Sequence, residues 1–335
     1  MAHRTAPDHD LTRMPGGIPY IIANEAAERF SFYGMKAALA IFLANYLGVL
    51  GGSNLSEAQA TTYVSVFNSS VYFTPLIGAL IADSFFGKYR TIVTLSIVYC
   101  LGHLSLACMG LQGIVEFWLL AGLGMIAVGA GGIKSCVSAH VGDQFGRSNQ
   151  HLLTRIFNIF YFSINAGAVV SNILIPVILK WHGPHWAFGI PGVLMALATL
   201  FFWMGREKFV HIPAKGPAFA RELFSRSGLF TILKLLPLYL FVAVFWCLFD
   251  QTASTLVFQA ERMDRNIFGI EVLPSQIQAF NPFLILVLIP LFTYLIYPYV
   301  GRLIPLTPLR KIGAGLFLMT CLLYTSPSPR DLNPN

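Results

Sequence analysis

An all-α, polytopic membrane protein is the fold class this sequence predicts, on three observations. Of 335 residues, 56% are hydrophobic and 11% charged, whereas a soluble domain carries about a quarter charged residues. Mean hydropathy is +0.66. Apolar runs of roughly 20 residues, enough to cross a bilayer, recur along the whole chain. The formal charge of +7 sits in short clusters between those runs, the pattern of membrane-surface loops, so nucleic acid is not an expected partner.

About nine spans are expected, six of them near 19–47, 61–83, 91–111, 117–139, 153–180 and 187–204. Three more follow near 233–258, 279–300 and 309–324. The first residues, 1–18, form a polar tail of mixed charge with no cleavable-leader pattern. Residues 205–232 carry Pro213, Gly216 and Pro217 among basic side chains and read as a linker. The five cysteines stand singly in apolar surroundings, without metal-ligand spacing, and read as inert thiols.

Loop charge orients the spans. Lys88 and Arg90, Arg147, the 205–232 cluster, and Arg302 with Arg310 and Lys311 follow the second, fourth, sixth and eighth spans. Loops after the first and third contain only Glu57 and Glu116 as charges. Positive charge marks the cytoplasmic side, which puts the amino terminus there. Six spans, a basic linker and further spans fit the layout of major-facilitator transporters.

Charge inside the spans points to function. Glu25, Arg29, Phe32 and Lys36 recur at helical spacing, with Glu28 and Tyr33 on the flanks of the same stripe. Ionisable groups in hydrocarbon are costly and mark transport pathways more often than plain packing. Their closeness suits a carboxylate that takes up and releases a proton, although a structural ion-pair knot would use the same residues. Further stripes are Ser65, Asn68 and Tyr72; Arg155, Asn158, Tyr161, Asn165 and Asn172; and Trp246, Asp250 and Ser254, with Asn281 near the start of the eighth span. Singly, Tyr72 and Tyr161 read equally well as packed aromatics, Asn165 as interhelical glue and His103 as a packing residue. Lys134 follows the small-residue run of 129–132, and a buried ammonium there needs a carboxylate such as Glu25 or Glu28. Taken together, the stripes describe a polar cavity on the bundle axis.

NEAAERFSFYG (24–34) resembles the ExxERFxxYG motif of the proton-dependent oligopeptide transporter family of the major facilitator superfamily. GGIKSCVSAHVGDQF (131–145), RIFNIFYFSINAGA (155–168), VFWCLFDQTASTLVFQA (244–260) and GALIADSFFGKYR (78–90) are similar to further family segments. The resemblance runs from about residue 19 to about 322.

It implies a six-helix N-terminal bundle (19–204), the linker (205–232) and an incomplete C-terminal bundle (233–324). It also implies a proton-coupled symporter importing di- and tripeptides by alternating access, not an enzyme, with no cofactor beyond the coupling proton. Glu25, Glu28, Arg29 and Lys134 would couple protons, and Arg29 and Lys134 would bind the peptide carboxylate. Tyr33, Tyr72, Tyr161, Asn165, Trp246 and Asn281 would line the peptide site. Asp83, Lys88 and Arg90 would hold one gate, and Asp250 would engage a charge near the other. The expected partners are the peptide, protons and the lipid of a bacterial cytoplasmic membrane, and the expected state is a monomer.

Ser65 stands where mammalian members have a histidine, which throws the coupling onto the ExxER–lysine group. The chain departs from the family's twelve helices: residues 325–335 match nothing expected and read as a truncation artefact. The glutamate that receives the peptide amine is then missing. Rival readings are a relative carrying a small anion such as nitrate, and a non-functional fragment. An intramembrane hydrolase is disfavoured, because HExxH, GxSxG and facing aspartates are absent.

Overall fold

A computed structural model describes residues 4–325 apart from 112, 217, 218, 220, 223 and 268. The predicted non-family tail lies, beyond residue 325, outside the described residues. Helix α1 (Ile18–Ile41) runs on through a π-turn (Phe42–Tyr46) and a 3-10 turn (Leu47–Leu50). Gly51, at φ 92°, ends it in the left-handed region that glycine tolerates. Helix α2 (Glu57–Ile81) opens on a capping box. Ser56 Oγ accepts from the Gln59 amide, and Gln59 Oε1 accepts from the Ser56 amide. After a second π-turn (Ala82–Phe86) come α3 (Lys88–Ala107), α4 (Val115–Asp143), α5 (Leu153–His182) and α6 (Pro184–Met204). Pro184 sits in the first turn of α6, where its missing N–H costs no hydrogen bond.

These six helices form one bundle. α1 packs on α5 and α6, α3 on α4 and α6, and α2 on α4. The α2–α4 crossing is made by bare backbone: a Cβ on Gly78 would lie 2.6 Å from the Cα and the carbonyl oxygen of Gly132. Small residues of this kind let helices approach closely in lipid, where van der Waals packing drives association.

Beyond the linker, α7 (Arg226–Phe249) is capped by Ser225, whose Oγ accepts from the Gly228 amide at 3.1 Å. It passes through a 3-10 turn (Asp250–Ala253) into α8 (Thr255–Glu261). A small antiparallel hairpin follows, β1 (Asn266–Ile267) and β2 (Ile270–Glu271). A further 3-10 turn (Pro274–Ala279) leads to α9 (Phe280–Leu291), a π-turn (Phe292–Ile296), α10 (Tyr297–Val300) and α11 (Pro308–Thr325).

Among the described residues, 8 helical segments are long and apolar enough to cross a membrane. They coincide with the first eight expected spans. The ninth forms a helix, α11, but is not one of these eight segments. It runs to the last described residue and carries Arg310 and Lys311 in its first turn.

Candidate functional site

The charged stripe of α1 is buried as a unit. Glu25 and Glu28 are each 1% exposed and Arg29 9%. Arg29 Nε donates to Glu25 Oε1 at 2.6 Å, one helical turn away. The same nitrogen lies 3.2 Å from Glu28 Oε2 without hydrogen-bond alignment, so neither Glu28 oxygen accepts a hydrogen bond from a described residue. Two carboxylates thus share one guanidinium, and Glu28 is the less well satisfied of them.

Lys134 departs from expectation. It forms no ion pair with Glu25 or Glu28. Its ammonium stands over the Phe32 ring at 4.0 Å and over Tyr72 at 5.4 Å, within electrostatic range of Glu25, Glu28 and Arg29. Phe32, 3% exposed, is held edge-on by Tyr33 and stacked on Phe67. The ring face supplies part of the attraction a carboxylate would have given. The ammonium therefore keeps donors that no carboxylate among the described residues occupies. With all four groups ionised, the two glutamates balance Arg29 and Lys134, and an added anion would meet cations not fully used by the protein.

The tyrosines gather around this wall to different degrees. Tyr33 is half-buried and within electrostatic range of Arg29, Glu28 and Tyr161. Tyr72 and Trp246, from opposite sides of the linker, bring their rings to 5.8 Å. Asn165 is 5% exposed, but its Nδ2 donates to the Tyr161 carbonyl in its own helix rather than across helices. Asn281 is exposed and makes no hydrogen bond with a described residue.

Two sets of ion pairs frame the site. Towards the far end of α1, Lys36 Nζ donates to Asp250 Oδ1 at 2.9 Å, so Asp250 does engage a charge from the first bundle. Farther out, Arg262 donates to both oxygens of Glu57 at 2.8 and 2.7 Å, and Asn45 donates to Glu261 at 3.4 Å. Sequence reasoning missed these last two links; their one signal was charge at the start of α2 (Glu57) and at the end of α8 (Glu261 and Arg262). At the basic end the expected Asp83–Lys88–Arg90 group is not formed. Lys88 pairs instead with Asp143 of α4 at 2.7 Å, Arg90 is exposed without a carboxylate partner, and the Asp83 carbonyl accepts from the Lys215 amide. Asp143 lies inside the family-like stretch 131–145, which was the available hint. Among the described residues, every ion pair joining the two sides of the linker lies away from the basic end.

Eight apolar helices, the first six packed as a bundle that buries an ion cluster, define a multi-pass integral membrane protein of the major-facilitator fold. A model of the POT family matches residues 89–227 and 226–326. Human solute carrier family 15 member 2 is 35% identical over 367 residues, covering 96% of this chain and 49% of its own. Peptide transporter family 1 of Drosophila melanogaster is 36% identical over 93% of this chain and 47% of its own. The crystal structure of the POT family transporter PepTSo aligns with a TM-score of 0.79 and 36% identity, over 90% of this chain and 74% of that one. The chain belongs to the POT family, the proton dependent oligopeptide transporters. It spans about half the length of the curated relatives it matches.

Proposed function

We propose that this chain belongs to a proton-coupled symporter that moves di- and tripeptides across the cytoplasmic (inner) membrane by alternating access, its basic end facing the cytoplasm. The observation that carries the reading is the sharing of Arg29 between two buried glutamates beside a lysine with no carboxylate partner among the described residues. A peptide carboxylate arriving at Arg29 and Lys134 would compete with Glu25 and Glu28 for the same cations. Proton uptake on Glu28, the carboxylate that accepts no hydrogen bond, would relieve that competition without leaving an unsolvated charge. Tyr33, Tyr72, Tyr161, Asn165, Trp246 and Asn281 would supply polar edges and ring faces to backbone groups common to all peptides.

Lys36–Asp250 and Glu57–Arg262 would be the latches of the outer gate. Lys88 with Asp143, and with Asp83 and Arg90 nearby, would brace the inner one. Alternating access then needs the two halves to exchange which end is latched.

The test is uptake by the full-length protein in proteoliposomes. Acid outside should drive accumulation of labelled dialanine, and unlabelled tripeptide should compete. Absence of dialanine uptake under an inward proton gradient would overturn the reading. Competition by nitrate but not by peptide would favour a small-anion carrier.

A further inference from the structure

The stretch after α6 reads as a tether in sequence, yet its first part is built into the bundle. Phe209 is 0% exposed. Its ring lies 4.8 Å from Phe202 of α6, 5.2 Å from His140 of α4, 6.0 Å from Tyr89 of α3 and 6.5 Å from Tyr20 of α1. One side chain thus touches four helices at the basic end. Beside it, the Gln144 side chain, 2% exposed, grips both backbone groups of Val210. Oε1 accepts from the Val210 amide at 2.8 Å, and Nε2 donates to the Val210 carbonyl at 3.4 Å. Lys208 Nζ donates to the Tyr20 hydroxyl, and the Lys215 amide donates to the Asp83 carbonyl, each at 2.8 Å.

The amino-terminal tail closes over the same region. The His211 amide donates to the Arg4 carbonyl at 2.7 Å, and Arg4 pairs with Val210 in a single parallel bridge. Ser148 donates its amide to the His9 carbonyl at 3.3 Å. The wholly buried Asn149 donates to the Arg13 carbonyl at 3.1 Å. Gly146 lies against the backbone of Asp8 and His9 closely enough to leave no space for a Cβ. Tail and early linker therefore satisfy one another's backbone groups across the ends of α4 and α5, as a folded segment must and a tether need not.

We propose that residues 4–13 and 205–215 form a strap that folds as part of the N-terminal bundle, with Phe209 as its positioning residue. The joint between the two halves then begins at Gly216, whose φ of 72° is the first left-handed position after the strap, and not at the end of α6. The strap's folding stands on packing alone. The claim about the joint rests on the alternating-access reading.

Two measurements separate these layers. In hydrogen exchange on the purified chain in nanodiscs, the amides of Lys208, Val210, His211 and Lys215 should exchange on the order of a hundredfold more slowly than an unstructured reference. Phe209→Ala should release them together with the tail-contacting amide of Ser148. Gln144→Leu should release Val210 and His211 if the alanine variant does not fold, and Phe209→Leu should retain most of the protection. Coil-like exchange across 205–215 in the unaltered chain would overturn the strap, whatever the protein carries. In the full-length transporter, two glycines inserted between Lys208 and Phe209 should lower maximal dialanine uptake about tenfold at unchanged KM. The same insertion directly after Gly216 should be tolerated. Equal tolerance at both sites would overturn the placement of the joint while leaving the transport reading intact.

Discussion

The helices after the linker are more apolar than those before it, with mean hydropathies of 2.3 and 2.1 against 1.4 to 1.9, and they also differ in what surrounds them. In the most apolar stretch of the α1 span, 56% of residues are buried, against 0% in that of the Arg226–Glu261 span. The first bundle places Glu25, Glu28 and Arg29 where neighbouring helices exclude both water and lipid. α7 leaves Leu233, Tyr239, Leu240, Phe241 and Val244 exposed among the described residues of a chain that spans about half the length of its curated relatives. The distinguishing feature is charge spaced to lie on one face.

That contrast can be broken at its strongest point by removing Arg29. Arg29→Gln leaves two buried carboxylates without their cation, and the expected loss of stability is about 3–5 kcal/mol. It is checked by thermal unfolding in detergent, and Glu25→Gln added to Arg29→Gln should restore part of it. A second change sharpens the functional side. Glu28→Gln preserves shape but cannot exchange a proton, so proton-driven uptake should fall about a hundredfold, equivalent to about 2.7 kcal/mol. Exchange of internal for external peptide should persist. Uptake by the unaltered protein should rise as external pH falls, because protonation accompanies loading, and the variant's profile should be flat.

The link between the two regions comes next. A double-mutant cycle on Lys36→Ala and Asp250→Ala should give a coupling of about 1.5–3 kcal/mol, since the pair is well shielded and hydrogen-bonded. The smallest effect is expected at Glu57→Ala. Its partner Arg262 is 58% exposed at the side chain, so the pair should contribute under about 1 kcal/mol and lose that in high salt.

The spans and the ExxER stripe were legible in the sequence because both depend on periodicity within one helix. Glu25 and Arg29 are four residues apart, and nothing distant is needed to pair them. What remained hidden was pairing between helices. Lys36 and Asp250 are separated by 214 residues, and Glu57 and Arg262 by 205. Local spacing does not reveal such partners. The same limit hides the pairing of Lys88 with Asp143, 55 residues away. For Lys134, the carboxylate was the expected partner because charge is easy to count. The face of Phe32, an equally physical partner, carries no formal charge.

The backbone contact between Gly78 and Gly132 has a consequence for that lysine. Gly132 is two residues before Lys134, so the level at which the ammonium meets the Phe32 ring is gauged by the seating of one bare helix on another. No side chain at the crossing can swing aside to absorb an error. A methyl group at Gly78 would meet the Gly132 backbone and act as a shim, lifting α4 and carrying the ammonium off its ring. The electrical setting of the ion cluster is thus calibrated by two residues that carry no functional group.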